Sequence, residues 1–410
     1  MRFATTFLPR TILVLVLAGL AACYGSVTLE GEDATDDATD GSADDATDGA
    51  TDDADGARED DAATDDGVDV EPDVPPAPYV LHEWGVMLLD GEGGGSMHGP
   101  SPDFSGAIPA KPVLYLYADE PIAPLSIAVD FASGGSTDVW PEIPLGPRVE
   151  WNDLALRPGP CTITAFPNPW DDDRWEETMC EACDLESCVV PGAACLDFTN
   201  PAGETTISDL LFYTGTLPDY RGPLAAEARV INEPGFADRL EVTITNRTPR
   251  AVEDVWFVYR QATDSCIDPS ACSVVSADLA WVHFDEVAGG ASFDEPLDIV
   301  RVEAAVDETG FPVEPLTLPA EWLALGDDLT ARLVERGLTA GEAAAFMRNW
   351  DTIFFGLLGS DSVWSEPFYR NGAALIYFMS PEDYDAQLPL RASPPPVETV
   401  RVGMIYENLP

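Results

Sequence analysis

Residues 24–77 form a long tract dominated by Asp, Ala, Thr and Gly, and this tract limits what the chain can fold into. It offers few apolar side chains, so burial cannot offset the chain entropy that folding would cost. Its like charges also repel one another and keep the chain extended. The sequence therefore predicts a disordered acidic tether over residues 23–78 and a folded body that begins near residue 79.

The segment before the tether has the pattern of an export signal. Residues 11–20 (TILVLVLAGL) are long enough for the apolar part of a signal peptide but too short to span a bilayer. The following Leu20-Ala21-Ala22-Cys23 resembles a bacterial lipoprotein processing site, in which the cysteine carries the lipid. We expect a signal peptide at 1–22 and lipid attachment at Cys23. An ordinary secretory signal is the alternative.

The residue after Cys23 bears on the destination of such a protein. In the lipoproteins that this signal resembles, an Asp at this position retains the protein in the inner membrane, whereas this chain has Tyr24. We therefore expect an exported protein that is lipid-anchored to the cell envelope, in the outer membrane where the cell has one.

The charge balance narrows the expected partners. The chain has 74 acidic and 20 basic residues and a formal net charge of -54, so nucleic acid and anionic head groups should be repelled. The membrane is expected as a partner through the lipid anchor alone. An envelope polysaccharide or a surface protein is the expected ligand of the body, whose share of hydrophobic residues allows a sizeable core.

Seven of the eight cysteines lie in the body, and export favours disulfides over thiolate metal sites for them. The seven disulfide candidates are Cys161, Cys180, Cys183, Cys188, Cys195, Cys266 and Cys272. Cys266 and Cys272 bracket a short loop and are the easiest pair to assign. Spacing does not fix the connectivity of the other five. A zinc or iron-sulfur site in the cysteine-rich stretch is the alternative.

Most of the body has the composition of strands separated by turns. Residues 240–245 alternate apolar and polar side chains, and a turn at 246–249 leads into the apolar residues 252–259. This pairing predicts a hairpin or a corner of a β-sandwich. We expect a mainly β, β-sandwich-like ectodomain over residues 79–317, with a cysteine-rich insertion at about 161–195.

Two segments have helical spacing instead. Three leucines recur at four-residue steps before Gly337, a plausible C-terminal cap: Leu325, Leu329 and Leu333. Thr339 and Glu342 then have the spacing of a capping box before an apolar stripe that includes Phe346 and Trp350. The sequence predicts a helical hairpin packed on the sheet, with closing strands, over residues 318–410. An exposed aromatic stripe for a partner is the alternative.

The three histidines, His82, His98 and His283, are the candidate metal ligands. Imidazoles that leave one coordination position open would suit metal-dependent hydrolysis. No pair of them has ligand spacing, however, and a structural role is commoner for each. If strand alternation holds, His82 and Trp84 share one face of the first strand and Glu83 takes the other. We predict no cofactor, and a divalent metal is the alternative.

Several short segments occur in an order and spacing that resemble a known family. These segments are His82-Glu83-Trp84-Gly85, residues 112–117, Leu211-Phe212-Tyr213, residues 342–350, Leu388-Pro389-Leu390 and residues 394–402. They are similar to a family of exported bacterial proteins of unknown function, from about residue 79 to 406. The stretch from Cys161 to Cys195 departs from that pattern as an insertion. The resemblance implies export and the extent of the domain, and it implies no mechanism.

The sequence thus favours a lipid-anchored envelope protein with a binding or structural role and an unidentified ligand. A metal-dependent hydrolase that uses the three histidines is the alternative function. A calcium-responsive adhesin is a third hypothesis.

Overall fold

A computed structural model describes residues 75–90, 107–166, 181–200, 202–231, 239–262, 274–305, 317–355 and 372–409. By its internal contacts the chain divides into Met1–Asp69 and Val70–Pro410, and every described residue belongs to the second unit. The signal peptide, Cys23 and the tether before residue 75 lie outside the described residues. Among the residues that are described, no helix is long and apolar enough to cross a membrane.

The described residues are mainly β. The strands in chain order are β1 (Ala77–Asp90), β2 (Ala107–Ala118), β3 (Ile122–Asp130), β4 (Gly135–Trp140), β5 (Arg148–Arg157), β6 (Cys195–Thr199), β7 (Thr205–Ser208), β8 (Leu211–Thr216), β9 (Leu224–Ile231), β10 (Arg239–Asn246), β11 (Val252–Ala262), β12 (Val274–Val287), β13 (Ser292–Asp298), β14 (Val300–Ala305), β15 (Gly372–Phe378), β16 (Leu390–Ser393) and β17 (Pro396–Leu409). The helices are a 3-10 helix (Glu181–Cys188), α1 (Ala320–Glu335), α2 (Ala340–Phe355) and α3 (Pro381–Gln387).

The strands form three sheets. A nine-stranded sheet has the order β14-β12-β11-β15-β17-β1-β2-β8-β4, a five-stranded sheet has the order β16-β3-β5-β6-β7, and a three-stranded sheet has the order β13-β10-β9. β1 pairs in parallel with β17 and antiparallel with β2. Two strands of the C-terminal segment, β15 and β17, therefore lie in the middle of the large sheet, between β11 and β1.

Both faces of the nine-stranded sheet are covered. One face packs against α1, α2 and the 3-10 helix through residues such as Trp84, Leu329 and Phe346. The other face packs against the two smaller sheets through residues such as Leu81 and Trp151. Strands buried on both sides have continuous apolar runs, which explains the sequence of β15. The mainly β, sandwich-like fold with a helical hairpin is confirmed, and the hairpin adds a third layer.

The helical hairpin forms as its spacing predicts. Leu325, Leu329 and Leu333 are buried on α1. After α1, Gly337 has a φ of 103°, a left-handed conformation that a side chain would strain. The amide of Leu338 donates to the carbonyl of Leu333 at 3.2 Å and satisfies an end carbonyl of the helix.

The segments at 240–245 and 252–259 form a corner rather than a hairpin. β10 belongs to the three-stranded sheet and β11 to the nine-stranded sheet, so the chain changes layer at the turn between them. Asn246 holds this turn, because its buried side-chain amide donates to the carbonyls of Arg250 at 2.7 Å and Val287 at 2.9 Å.

Candidate functional site

The first motif of the body lies on β1 and its side chains alternate between the two faces, as predicted. His82 and Trp84 point to the helical layer, where Trp84 packs edge-on against Phe346 at a ring distance of 5.3 Å. Glu83 lies on the opposite face and is fully buried. The motif thus contacts both outer layers of the fold.

His82 is held by Glu342 on α2. Its Nδ1 lies 2.9 Å from Oε2 and 3.1 Å from Oε1 of Glu342, which is completely buried. The Tyr117 hydroxyl donates to Oε1 at 2.9 Å, and the Thr339 amide donates to Oε2 at 2.7 Å. In the tautomer that carries its proton on Nδ1, His82 donates to this carboxylate. Thr339 Oγ1 accepts in turn from the Glu342 amide at 3.2 Å, so the predicted capping box is confirmed.

Glu83 forms a buried ion pair with Arg401 of β17. Arg401 Nε donates to Glu83 Oε2 at 2.5 Å, and the Tyr213 hydroxyl donates to Oε1. Burial is the largest single influence and lowers the pKa of Arg401, but the interactions with Glu83, Tyr384 and Tyr213 together outweigh it and leave that pKa above its ordinary value. Arg401 also lies over the ring of Tyr384 at 4.3 Å from the centroid. The pair fixes β1 to β17 and to the base of α3.

The candidate metal ligands His82 and His283 do not lie together. Three strands separate β1 from β12 in the nine-stranded sheet, so strand spacing alone sets these two strands about 19 Å apart. The pairing registers place His283 level with Leu88 and not with His82. His283 stacks on Trp256 at 4.6 Å, with Asp328 at 3.5 Å from its Nδ1. His98 lies outside the described residues. Among those described, no three His, Cys, Asp or Glu side chains are placed to hold a metal ion.

Two of the disulfide candidates are bonded to each other. Cys161 and Cys195 form a disulfide, with their Cα atoms 5.4 Å apart, and it joins the two ends of the predicted insertion. Cys188 is buried at the end of the 3-10 helix. Cys180, Cys266 and Cys272 lie outside the described residues, as does the side chain of Cys183.

A cleft of about 1090 Å³ opens between the five-stranded sheet and the first half of β17. Four arginines from four different segments line it: Arg148, Arg336, Arg391 and Arg401. Two carboxylates, Glu150 and Asp385, are also in the lining. The lining therefore has a formal charge of +2 (four minus two), whereas the whole chain is at -54. We name this feature the arginine cleft.

The four arginines differ in their solvent exposure and in the strength of their contacts with other residues of the protein. Arg401 is only 8% exposed, and Arg336 donates to Asp254 at 2.8 Å and lies over the Phe378 ring. The side chains of Arg148 and Arg391 are 41% and 60% exposed, and both pair with the single carboxylate of Asp130. Arg148 also pairs with Glu150. Arg148 and Arg391 can therefore turn towards a ligand at little cost.

Local sequence patterns contain little sign of this cleft. Its arginines come from β5, the end of α1, β16 and β17, and only Arg391 and Arg401 are near one another in the chain. The one available signal is the scarcity of basic residues, since the sequence has 20 in 410. Three small polar residues, Ser126, Ser393 and Thr399, and eight apolar residues complete the lining.

Three acidic groups outside the cleft are perturbed by burial. Burial raises the pKa of Glu407 to about 7 and that of Asp351 to about 6. It also raises the pKa of Asp209, which is 6% exposed and whose Oδ1 has no hydrogen-bond partner among the described residues. The Tyr377 hydroxyl lies 3.4 Å from Oε2 of Glu407. These carboxyls do not line the arginine cleft, so they act on stability and not on its ligand.

Comparisons with known proteins identify no family for this chain. No family model matches it. No curated protein matches it either. Among 70 solved chains that do match, one is the mu-homology domain of yeast delta-COP-I, solved with a Dsl1 WxWxV peptide. That match has 9% sequence identity and a TM-score of 0.22 over 56% of this chain and 80% of the other. At this TM-score the likeness carries no argument about fold or function.

Proposed function

We propose that this protein is a lipid-anchored cell-envelope protein whose body binds an anionic ligand in the arginine cleft. The observation that carries the proposal is the gathering of four arginines in one cleft of an otherwise strongly acidic chain. Since the surrounding protein repels negative charge, this is the place where an acidic group gains most from binding.

The exposed arginines determine the ligand chemistry. A guanidinium presents a planar fork of donors that matches a carboxylate or a phosphate. Arg148 and Arg391 pair with Asp130 and Glu150 only at the exposed surface, where such pairs are weak, so a ligand carboxylate can compete for these guanidinium groups. An acidic envelope polysaccharide or an acidic segment of a surface protein fits this requirement. Nucleic acid fits poorly, because its dense charge meets the repulsion of the whole chain.

Binding experiments with the full chain test the cleft. An oligogalacturonate, which carries one carboxylate per sugar, should bind, and the Arg148→Ala/Arg391→Ala double variant should bind it at least tenfold more weakly. Arg229→Ala is a matched control, because Arg229 is an exposed arginine that pairs with Glu241 on the three-stranded sheet. Equal affinity in the double variant and the control would refute the cleft as the binding site. Calorimetry at two salt concentrations measures the affinity and how much of it is electrostatic, because salt screens charge interactions.

The anchor is supported by sequence alone. The apolar segment, the small residues before Cys23 and the acidic tether suit a protein held away from a lipid surface, and Tyr24 favours the outer membrane. Mass spectrometry of the N-terminal peptide should find fatty acid on Cys23. The Cys23→Ser variant should lose the lipid and leave the membrane fraction. An unprocessed N-terminal methionine without lipid would refute the anchor.

The alternative function, a metal-dependent hydrolase, requires imidazoles that share one ion. His82 and His283 are too far apart to do so, and His98 would have to join one of them. Metal analysis of the full chain tests this alternative. A stoichiometric transition metal that is lost in His82→Ala would favour the enzyme.

A further inference from the structure

The nine-stranded sheet has an open edge inside it. β15 pairs with β17 only from Ala373 opposite Leu409 to Phe378 opposite Met404. β17 continues back to Pro396, and among the described residues no strand pairs with its 396–402 stretch on the side away from β1. These seven residues span about 23 Å at the usual strand rise.

A proline explains why β15 stops. The Met379 amide donates to the Gly403 carbonyl at 2.8 Å, and the same register would next place Pro381 opposite Arg401. Proline has no amide hydrogen, so it cannot make that ladder bond. Instead Ser380 caps α3, since its Oγ accepts from the Asp383 amide at 3.1 Å. The chain therefore turns away and leaves the edge of β17 unpaired.

The direction of the unpaired backbone groups follows from the same contact. Because the Gly403 carbonyl points to the β15 side, alternation directs the backbone groups of Arg401 and Thr399 to that side as well. The pairing of β17 with β1 is continuous from Glu398 to Asn408, so no bulge interrupts the alternation. Thr399 is exposed, and both residues line the arginine cleft.

Positive charge flanks this edge on both faces of the sheet. Arg336 follows α1 and so comes from the helical layer, whereas Arg148 and Arg391 come from the five-stranded sheet on the opposite face. An added strand would direct its side chains alternately to these two faces. Acidic side chains would meet an arginine on either face. The charge of the cleft thus complements an acidic strand and opposes a basic one.

We propose that the arginine cleft takes up an extended acidic peptide segment as an added strand along β17, through the backbone of Thr399 and Arg401. The proposal rests on the proposed function, which requires only an anionic ligand in the cleft. Strand addition supplies what arginines alone do not, namely backbone hydrogen bonds that a polysaccharide cannot reproduce in register.

N-methylated peptides test the proposal on the unaltered full chain. The probe is a blocked octapeptide of alternating Glu and Val, with a Lys-Val analogue as the charge control. Two further versions are N-methylated at every Glu or at every Val, so that each removes the donors along one edge of the peptide. We expect one version to lose at least 30-fold in affinity and the other to stay within threefold. The Lys analogue should not bind.

A pair of protein variants tests the backbone hydrogen bond between the peptide and β17 by changing the protein instead of the peptide. Thr399→Pro removes the amide that faces the open edge without touching the ladder to β1, and it should weaken peptide binding at least tenfold. Thr399→Ala keeps the amide and should remain within threefold of the original chain. Circular dichroism establishes that both variants are folded. If Thr399→Pro does not fold, the N-methylated series decides the question alone.

The outcomes distinguish strand addition along β17 from the more general proposal that the arginine cleft binds an anionic ligand. Equal binding of both N-methylated versions, or binding of oligogalacturonate but not of the Glu-Val peptide, would overturn strand addition. In that case the loss of oligogalacturonate binding in Arg148→Ala/Arg391→Ala would still support the anionic ligand. If neither acidic probe binds, both proposals are wrong.

Discussion

His82 and Glu342 are 260 positions apart in the sequence, and their side chains meet at 2.9 Å inside the protein. This contact joins the central strand β1 to the first turn of α2. The Glu342 carboxylate also closes the capping box of that helix and accepts from Tyr117. One buried carboxylate therefore sets both the start of α2 and its position on the sheet.

The first prediction concerns this carboxylate. Glu342→Ala leaves the His82 ring and the Thr339 amide without their acceptor in a buried site, so we expect a loss of about 3 kcal/mol in the free energy of unfolding. Denaturant titration measures it. Glu335→Gln is the control, because that carboxylate is 67% exposed at the end of α1 and should change stability by less than about 0.5 kcal/mol. Similar values for the two variants would contradict the role of Glu342.

The second prediction concerns the buried pair of Glu83 and Arg401. Glu83→Gln and Arg401→Met should each cost about 3 kcal/mol, because each leaves a buried charge without its partner. The double variant should lose less than the sum of the two by at least about 1 kcal/mol. A double-mutant cycle by denaturant titration measures this difference, and additive losses would contradict it. Arg157→Met, at an exposed pair with Asp197, is the control and should leave the denaturation midpoint nearly unchanged.

The third prediction is a pH dependence due to Glu407. Burial raises its pKa from 4.5 to about 7, so between these values the folded chain keeps a proton that the unfolded chain releases. The contribution of Glu407 to the free energy of unfolding should therefore be highest below pH 4.5 and fall as the pH rises to 7. Glu407→Gln should remove the part of this slope that Glu407 causes, leaving the part due to Asp351 and Asp209, and should stabilise the protein at pH 8 by about 2 kcal/mol.

Urea titrations of the original chain and of Glu407→Gln at pH 5 and pH 8 measure this effect. Glu398→Gln, at an exposed position of the same strand, should change stability by less than about 0.5 kcal/mol at either pH. An undiminished slope in Glu407→Gln would contradict the prediction and assign the pH dependence to other groups.

The fourth prediction concerns the disulfide between Cys161 and Cys195, which closes a loop of 34 positions. Constraint of the unfolded chain by such a loop is worth about 3–4 kcal/mol in the chain-entropy model. The Cys161→Ser/Cys195→Ser variant should lose stability of that order under non-reducing conditions. Peptide mapping of the original chain should recover these two cysteines in one linked species. Recovery of Cys161 with another cysteine would contradict the assignment.

The fifth prediction concerns the glycine that ends the first motif. A Cβ on Gly85 would lie 3.0 Å from Cα of Pro112 on the neighbouring strand, where the backbone has little room to move. Gly85→Ala should therefore cost about 1–3 kcal/mol by overpacking. Gly146→Ala is the matched control, since nothing lies within 4 Å of its added Cβ. Thermal unfolding compares the two variants, and equal melting temperatures would contradict the steric argument.

Local patterns in the sequence predicted the local structure well. The four-residue spacing of Leu325, Leu329 and Leu333 gave α1, and Thr339 with Glu342 gave the start of α2, because both signals act within a few turns of one helix. Strand alternation likewise placed His82 and Glu83 on opposite faces. The turn after β10 left two possibilities open, since a hairpin and a corner have the same local sequence.

The amino-acid sequence alone determined the acidic composition, the mainly β character and the helical hairpin, because each depends on composition or on short-range periodicity. Only the tertiary structure decided that Glu342 holds His82, that Glu83 holds Arg401 and that His283 lies far from both. It alone gathered Arg148, Arg336 and Arg391 in one cleft. These contacts join segments that are far apart in the chain, and the order of the strands in the sheets decides which segments meet. That order depends on how whole layers pack, and no short-range sequence pattern encodes it.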